Sequence, residues 1–307
     1  YFKLSVYHKL HIMKTKTVLF CILVAAVISQ CISSHDSDSQ KNLFDYFGQI
    51  PPKDTAEIFA PGIISDTVKK AWSLAVSPNG DEVFFSRGQW PNTKIMHMKK
   101  TGDSWSLPDT AGFSRDCWAT EPAFSPDGRY LYFSTSKENM DIYNYSLWRI
   151  KKIRDVWSQP EKLFDIGGDS IWEFHPSVAS DGSLYFCNWD NKNQTGNIYM
   201  SQCDENKCSD PVKIDNPISI GYSDVNPFIS PDGRYMIFTS NRPGGYGDYD
   251  RYISYRNNDE TWTSPKNPGP EFNTKDGDSD MDVSPDGKYL FAYLNGNIFW
   301  MPVGDFL

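Results

Sequence analysis

Ser125-Pro126-Asp127-Gly128-Arg129-Tyr130-Leu131-Tyr132-Phe133-Ser134 is a tight polar turn that runs straight into an apolar-aromatic strand, and the chain writes it five times. The copies centre on Ser77-Pro78-Asn79-Gly80, Ser125-Pro126-Asp127-Gly128, Ala179-Ser180-Asp181-Gly182, Ser230-Pro231-Asp232-Gly233 and Ser284-Pro285-Asp286-Gly287. Their glycines stand 48, 54, 51 and 54 residues apart, and a steady period near 50 marks a propeller or solenoid. Asp-Gly suits the reversal because glycine reaches positive φ without a Cβ clash.

Working outward from the second copy, Thr120 to Phe124 reads as a first strand and Tyr130 to Ser134 as a second. Asp141-Ile142-Tyr143 is expected to open a third, and Trp157-Ser158-Gln159-Pro160 leads into a fourth. The later phrases recur: Asn197-Ile198-Tyr199, Asp250-Arg251-Tyr252 and Asn297-Ile298-Phe299 for the third strand, Trp105 to Pro108 and Trp262 to Pro265 before the fourth. In the third copy Cys208 occupies the Trp slot. Cys203 and Cys208 bracket a short polar run between two strand-like stretches, so a cross-strand disulfide there is expected to replace the lost aromatic packing.

The fifth copy reaches Leu307 just after its third strand. The segment from Ala56 to Ile63 reads like the fourth-strand segments at Pro160 to Phe164 and Pro211 to Ile214. An N-terminal strand completing the last blade would close the ring and remove both sheet edges. The expected fold is therefore all-β, a five-bladed β-propeller of four-stranded antiparallel blades over 46–307. The alternative of six blades needs one divergent beyond recognition.

With 307 residues, 15% of them aromatic, 21 Gly and 20 Pro, the chain suits one turn-rich all-β domain. A net charge of −9 argues against a nucleic-acid partner, which calls for a basic stripe. Met13 is read as the true start, with 1–12 as translated upstream sequence. Residues 13–30 then have the form of an export signal, with Lys14 and Lys16 ahead of an apolar Thr17 to Ser29 run too short to span a membrane. Cleavage is expected either before Cys31, which would carry a lipid, or after Ser29. The polar stretch 31–45 reads as a flexible tether. Oxidising export fits a disulfide, and Cys117 and Cys187 read as buried or free thiols because no metal-ligand spacing accompanies them.

At this point Ser125 to Ser134 and Ser230 to Arg242 resemble the WD40-like (PD40) repeat of TolB-type β-propellers. Phe47 to Pro52, Glu57 to Gly62 and Arg242 to Gly247 resemble a group of exported bacterial propellers that carry it. The likeness covers about residues 45–307. It implies an exported module, periplasmic or an outer-membrane lipoprotein anchored through Cys31, whose partner is an envelope protein or glycan.

Strict alternation along the first strand aligns Ser73, Glu121, His175, Asn226 and Asp280 in one column. On the same reading Ala71, Ala119, Glu173, Asp224 and Asp278 stand two residues earlier, and Ala75, Ala123, Ser177, Phe228 and Asp282 two later. Because the first strand is the innermost of a blade, these columns are expected to face the central channel. Glu121, Glu173, Asp224, Asp278, Asp280 and Asp282 would then converge, with His175 and Asn226 among them. Such a field would favour a cation such as calcium or the hydroxyls of a sugar, against the plainer reading of a hydrated channel. Trp72, Trp118, Trp172 and Tyr222 fall near its mouth. Asp276 to Asp282 fails the calcium-loop pattern, with Met281 at the required Gly, and Asn241 to Asp248 reads as a turn because no Lys-Ser/Thr follows.

Two functions follow. One is a non-enzymatic propeller presenting its loops and mouth to a partner, supported by the lack of a Gly-x-Ser-x-Gly or His-Glu-x-x-His signature. The other is a glycoside hydrolase using Glu121 or Glu173 as acid and Asp224 or Asp280 as base.

Overall fold

The repeated turn is held by its own side chains. In copies two, four and five the Ser hydroxyl donates to the Asp carboxylate two residues on, at 2.6, 2.7 and 2.6 Å. The same hydroxyl oxygen accepts the amide that opens the next strand, that of Tyr130, Tyr235 or Tyr289. The Asp also accepts the amide of Arg129, Arg234 or Lys288. The glycines take φ of +69°, +71° and +71°, where a Cβ would be strained. Proline pre-sets the second turn position. The third copy lacks the leading hydroxyl and is one residue tighter: Ala179 N bonds Ser183 O, where Ser125 N bonds Tyr130 O.

This computed structural model describes residues 44–66, 68–136, 145–164, 166, 170–279 and 281–304. Cys31, the export signal and most of the tether therefore lie outside the described residues, as does Asp280. The described strands form five antiparallel sheets, one per repeat, arranged as a five-bladed propeller. The inner strands are Ala71–Val76, Ala119–Phe124, Ile171–Val178, Asp224–Ile229 and Met281–Val283. Each pairs with the strand after its turn, and that strand pairs with a third.

Closure follows the expected route. Glu57–Ile58 pairs antiparallel with Asn297–Pro302, placing Glu57 opposite Trp300 and Ile58 opposite Phe299. Phe59 N adds a bond of 2.8 Å to Ile298 O. On either side of this strand an aromatic wedge fills the join between the last blade and the first. Phe47 lies 4.7 Å from Trp105, Tyr46 5.0 Å from Trp300 and Phe59 4.8 Å from Phe291, centroid to centroid. Its polar edges are matched too: Asp45 takes Lys100 Nζ at 2.6 Å and Trp105 Nε1 at 3.0 Å, while Tyr46 donates to Asp286 at 2.8 Å. Burying several aromatic faces in one seam is a large apolar contribution.

Two outer-strand features refine the sequence reading. The third strand of blade two is Ser146–Ile153, and its register sets Phe133 opposite Trp148, as Phe186 faces Tyr199 and Phe238 faces Tyr252. Trp148 thus holds the place given to Tyr143 by the sequence match; Asp141 to Tyr143 lie outside the described residues. A three-residue match carries too little pattern to set a register. At the outer turn, Lys100 faces Trp105, Lys152 faces Trp157 and Arg256 faces Trp262. The cations of the latter two sit 5.5 and 5.6 Å from the ring centroids. In blade three the same pair of positions holds Cys203 and Cys208, joined as a disulfide.

Candidate functional site

The column Ser73, Glu121, His175 and Asn226 is real, but it is not part of a regular strand. These residues take φ of +50°, +57°, +51° and +51°. At each, the pairing with the second strand shifts register: between Trp72 and Leu74, Thr120 and Ala123, Phe174 and Ser177, Val225 and Phe228. Four of the five inner strands therefore carry a bulge at the same place. Two of the bulge amides are held by a residue of the preceding blade's second strand: Glu121 N donates to Ser86 Oγ at 2.8 Å, and Asn226 N lies against the Cys187 thiol. Burial pushes that thiol up, with the Glu121 charge adding to it.

Glu121 takes a different part in the third blade. One carboxylate oxygen accepts His175 N at 2.9 Å and Ser134 Oγ at 3.3 Å. The other lies 3.0 Å from His175 Nε2. The expected neighbourhood of Glu121 and His175 is thus a two-point contact that ties blade two to blade three.

A bulge inserts one residue and breaks the period of two. The residues two positions earlier therefore leave the channel face, which corrects the expected convergence for Glu173, Asp224 and Asp278. Glu173 is 2% exposed and accepts Leu147 N of blade two at 2.9 Å, while its own amide donates to Tyr145 O. Asp224 is fully buried and meets Arg242 Nη2 at 2.6 Å; the same nitrogen donates to Ile218 O. Asp278 is 6% exposed, meets Arg251 Nη1 of blade four at 2.9 Å and accepts Thr274 N at 2.7 Å. Burial raises the carboxyls of Asp224 and Asp278 above their ordinary value even against these partners. Asp282 belongs to the opposite end of the channel. There it lines an apolar cup of about 340 Å³ to which all five blades contribute, with Leu74, Phe124, Val178, Phe228 and Val283. Among the described residues no group of three or more His, Cys, Asp or Glu is placed to hold a metal ion.

A different cavity opens where the inner strands of blades five, one and two begin. It measures about 430 Å³ and is lined by Trp72, Trp90, Tyr293, Thr120, Glu121, Gln89, Ser279, Lys70 and Gly88. One wall is Trp72, its Nε1 donating to Thr120 Oγ1 at 3.1 Å and its ring 6.3 Å from Tyr293 at 60°. Trp90, 44% exposed, also lines it; it stacks on Tyr145 at 4.8 Å and leans on Trp172 and Phe174 at 5.9 Å each. Of the expected mouth aromatics, Trp72 lines this cavity and Trp172 supports it from behind. Trp118 supplies a backbone carbonyl to Thr135 and Ser136, and Tyr222 is partly exposed beyond the lining. Trp90 and Tyr293 were not in the sequence reading. Their signal is that Trp90-Pro91 sits between two strands of one blade and has no counterpart in the repeats.

No protein-family profile and no curated protein matches the chain. Among solved structures it resembles a TolB-type protein of Agrobacterium tumefaciens (TM-score 0.51, 18% identity, 73% of this chain and 70% of that one). It also resembles the α-L-arabinofuranosidase of Lactobacillus brevis (TM-score 0.51, 11% identity, 78% and 92%). TolB from Acinetobacter baumannii aligns at 0.47 with 14% identity over 76% of this chain and 54% of its own. At these identities the likeness shows the β-propeller fold, which one neighbour named as TolB and another named as a glycosidase share.

Proposed function

We propose that the chain is an exported, non-enzymatic propeller that binds a protein or glycan at the bacterial cell envelope through the cavity between Trp72 and Trp90. The repeat motif and the TolB-type neighbour support a binding module. The observation that carries the reading is where the acids go: Glu173, Asp224 and Asp278 are buried with fixed partners, and both oxygens of Glu121 are engaged by blade three. Glycoside hydrolysis needs two carboxyl groups flanking a bound sugar, so the pairings of Glu121 or Glu173 with Asp224 are disfavoured. Asp280, the remaining partner of that scheme, lies outside the described residues.

Aryl glycosides and natural oligosaccharides incubated with the purified chain are expected to turn over no faster than in buffer. Hydrolysis abolished by Glu121→Gln or Asp280→Asn would overturn the reading in favour of an enzyme. Placement at the envelope rests on Cys31. Cells fed labelled palmitate should label the full-length protein and not Cys31→Ser; cleavage after Ser29 instead yields an unlabelled protein from both.

A further inference from the structure

We propose that the cavity between Trp72 and Trp90 takes the uncharged pyranose ring of a glycan. This rests on the binding reading above and narrows it from two ligand classes to one. A pyranose has flat C–H faces and a rim of hydroxyls, so it calls for apolar walls with neutral hydrogen-bonding groups at the edges, the usual composition of a small-ligand site. The cavity has that layout. Trp72 and Trp90 both line it, and Gln89 and Ser279 bring an amide and a hydroxyl to the lining. Its volume of about 430 Å³ falls within the range of about 300–1,000 Å³ typical of small-molecule sites.

Both tryptophans are set before any ligand arrives. Trp72 is oriented through its Nε1 by Thr120, whose hydroxyl in turn lies 3.1 Å from Ser86 Oγ, a fully buried group. Trp90 is fixed by the stack on Tyr145 with Trp172 and Phe174 behind it. Rigid aromatic walls lose little conformational freedom on binding, so contact area converts to affinity with less loss.

The charges decide against the rival ligands. Three aromatic rings near a carboxylate could suggest a cage for an ammonium group. Here both Glu121 oxygens are committed to His175 and Ser134, and Lys70 stands in the same lining. A cation would meet Lys70 and find the acid already engaged. Among the described residues, an anion would meet Glu121 with one lysine in the lining to offset it. A neutral polyol faces neither penalty.

The test is a printed array of neutral, N-acetylated and anionic glycans, probed with wild type, Trp72→Phe, Trp90→Ala and the remote exposed variant Leu107→Ala. A phage-displayed peptide library is panned against wild type in parallel. Near-ultraviolet circular dichroism of each variant establishes that its fold is retained, and Trp72→Phe keeps most of the ring volume should larger changes unfold the blade. Wild type and Leu107→Ala are expected to bind neutral glycans, with binding at least tenfold weaker in Trp90→Ala and weakened in Trp72→Phe. Selective binding of anionic glycans, or neutral-glycan binding untouched by either Trp variant, overturns the proposal. A silent array with peptides selected in a Trp90-dependent way also overturns it and leaves the binding module standing. Silence in both formats removes the two together.

Discussion

Gly287 isolates what the repeated turn asks of a single residue. Its φ is +71° and a Cβ there would meet nothing within 4 Å, so Gly287→Ala adds left-handed backbone strain without a clash. Urea unfolding should show a loss of about 1–2 kcal/mol; an unchanged midpoint and slope would mean the turn does not need glycine. A second residue, Glu82, acts across a seam. Its carboxylate lies 3.3 Å from His97 Nε2 and bonds Lys152 of blade two. Burial alone would raise its pKa, but the nearby His97 imidazole and the hydrogen bond from Lys152 win and bring it down to about 2 from 4.5. A lowered carboxyl stabilises the fold above its unfolded pKa, and that stabilisation fades as pH falls towards the folded value. Wild type should therefore exceed Glu82→Gln by an amount on the order of 3 kcal/mol near neutrality. The gap should close between about pH 4.5 and 2; a pH-independent gap would contradict the pairing. The turn was legible because every partner lies within five residues. Glu82 was not, because Lys152 stands a whole repeat away.

At the scale of elements, the fold was readable where the signal repeats and unreadable where a strand departs from regularity. The strand phrases and the Cys208-for-Trp exchange follow from aligning copies, and the structure sets Cys203 opposite Cys208 where other blades hold a cation and a Trp. The two solutions should be interchangeable. Cys203→Ser/Cys208→Ser should cost about 2 kcal/mol from loss of a short-loop crosslink, and Cys203→Lys/Cys208→Trp should recover part of it, on the order of 1 kcal/mol, through the cation–aromatic pair. Equal thermal midpoints for the two double variants would show that the position carries no cross-strand pairing. The channel columns misled because alternation was carried through Ser73, Glu121, His175 and Asn226, all four of them at positive φ. Nothing local announces these bulges: a Ser, a Glu, a His and an Asn share no pattern. What Glu121, His175 and Asn226 share is a tertiary cause, an amide that bonds a side chain of the preceding blade.

For the whole molecule, the bulges and buried acids change what the centre of the ring is for. Glu173 and Asp278 reach into neighbouring blades, so the acidic content of the inner strands contributes to assembly. At one end of the ring Trp72, Trp90 and Tyr293 come together from blades one and five to line the cavity proposed as the binding site. Tyr293 lies more than 200 positions from both tryptophans in sequence, and no local pattern links it to them; only ring closure brings them to one cavity. That closure depends on Glu57–Ile58 pairing with the last blade. Native-state hydrogen exchange at Phe59 tests it most directly, because its amide bonds Ile298 O at 2.8 Å across the join. If the ring is sealed as described, Phe59 exchanges with the same opening free energy as Leu290 and Phe291 in the middle of blade five. Rapid exchange at Phe59 while those two amides stay protected would mean the strand is not part of the blade, and the shared cavity would lose its foundation.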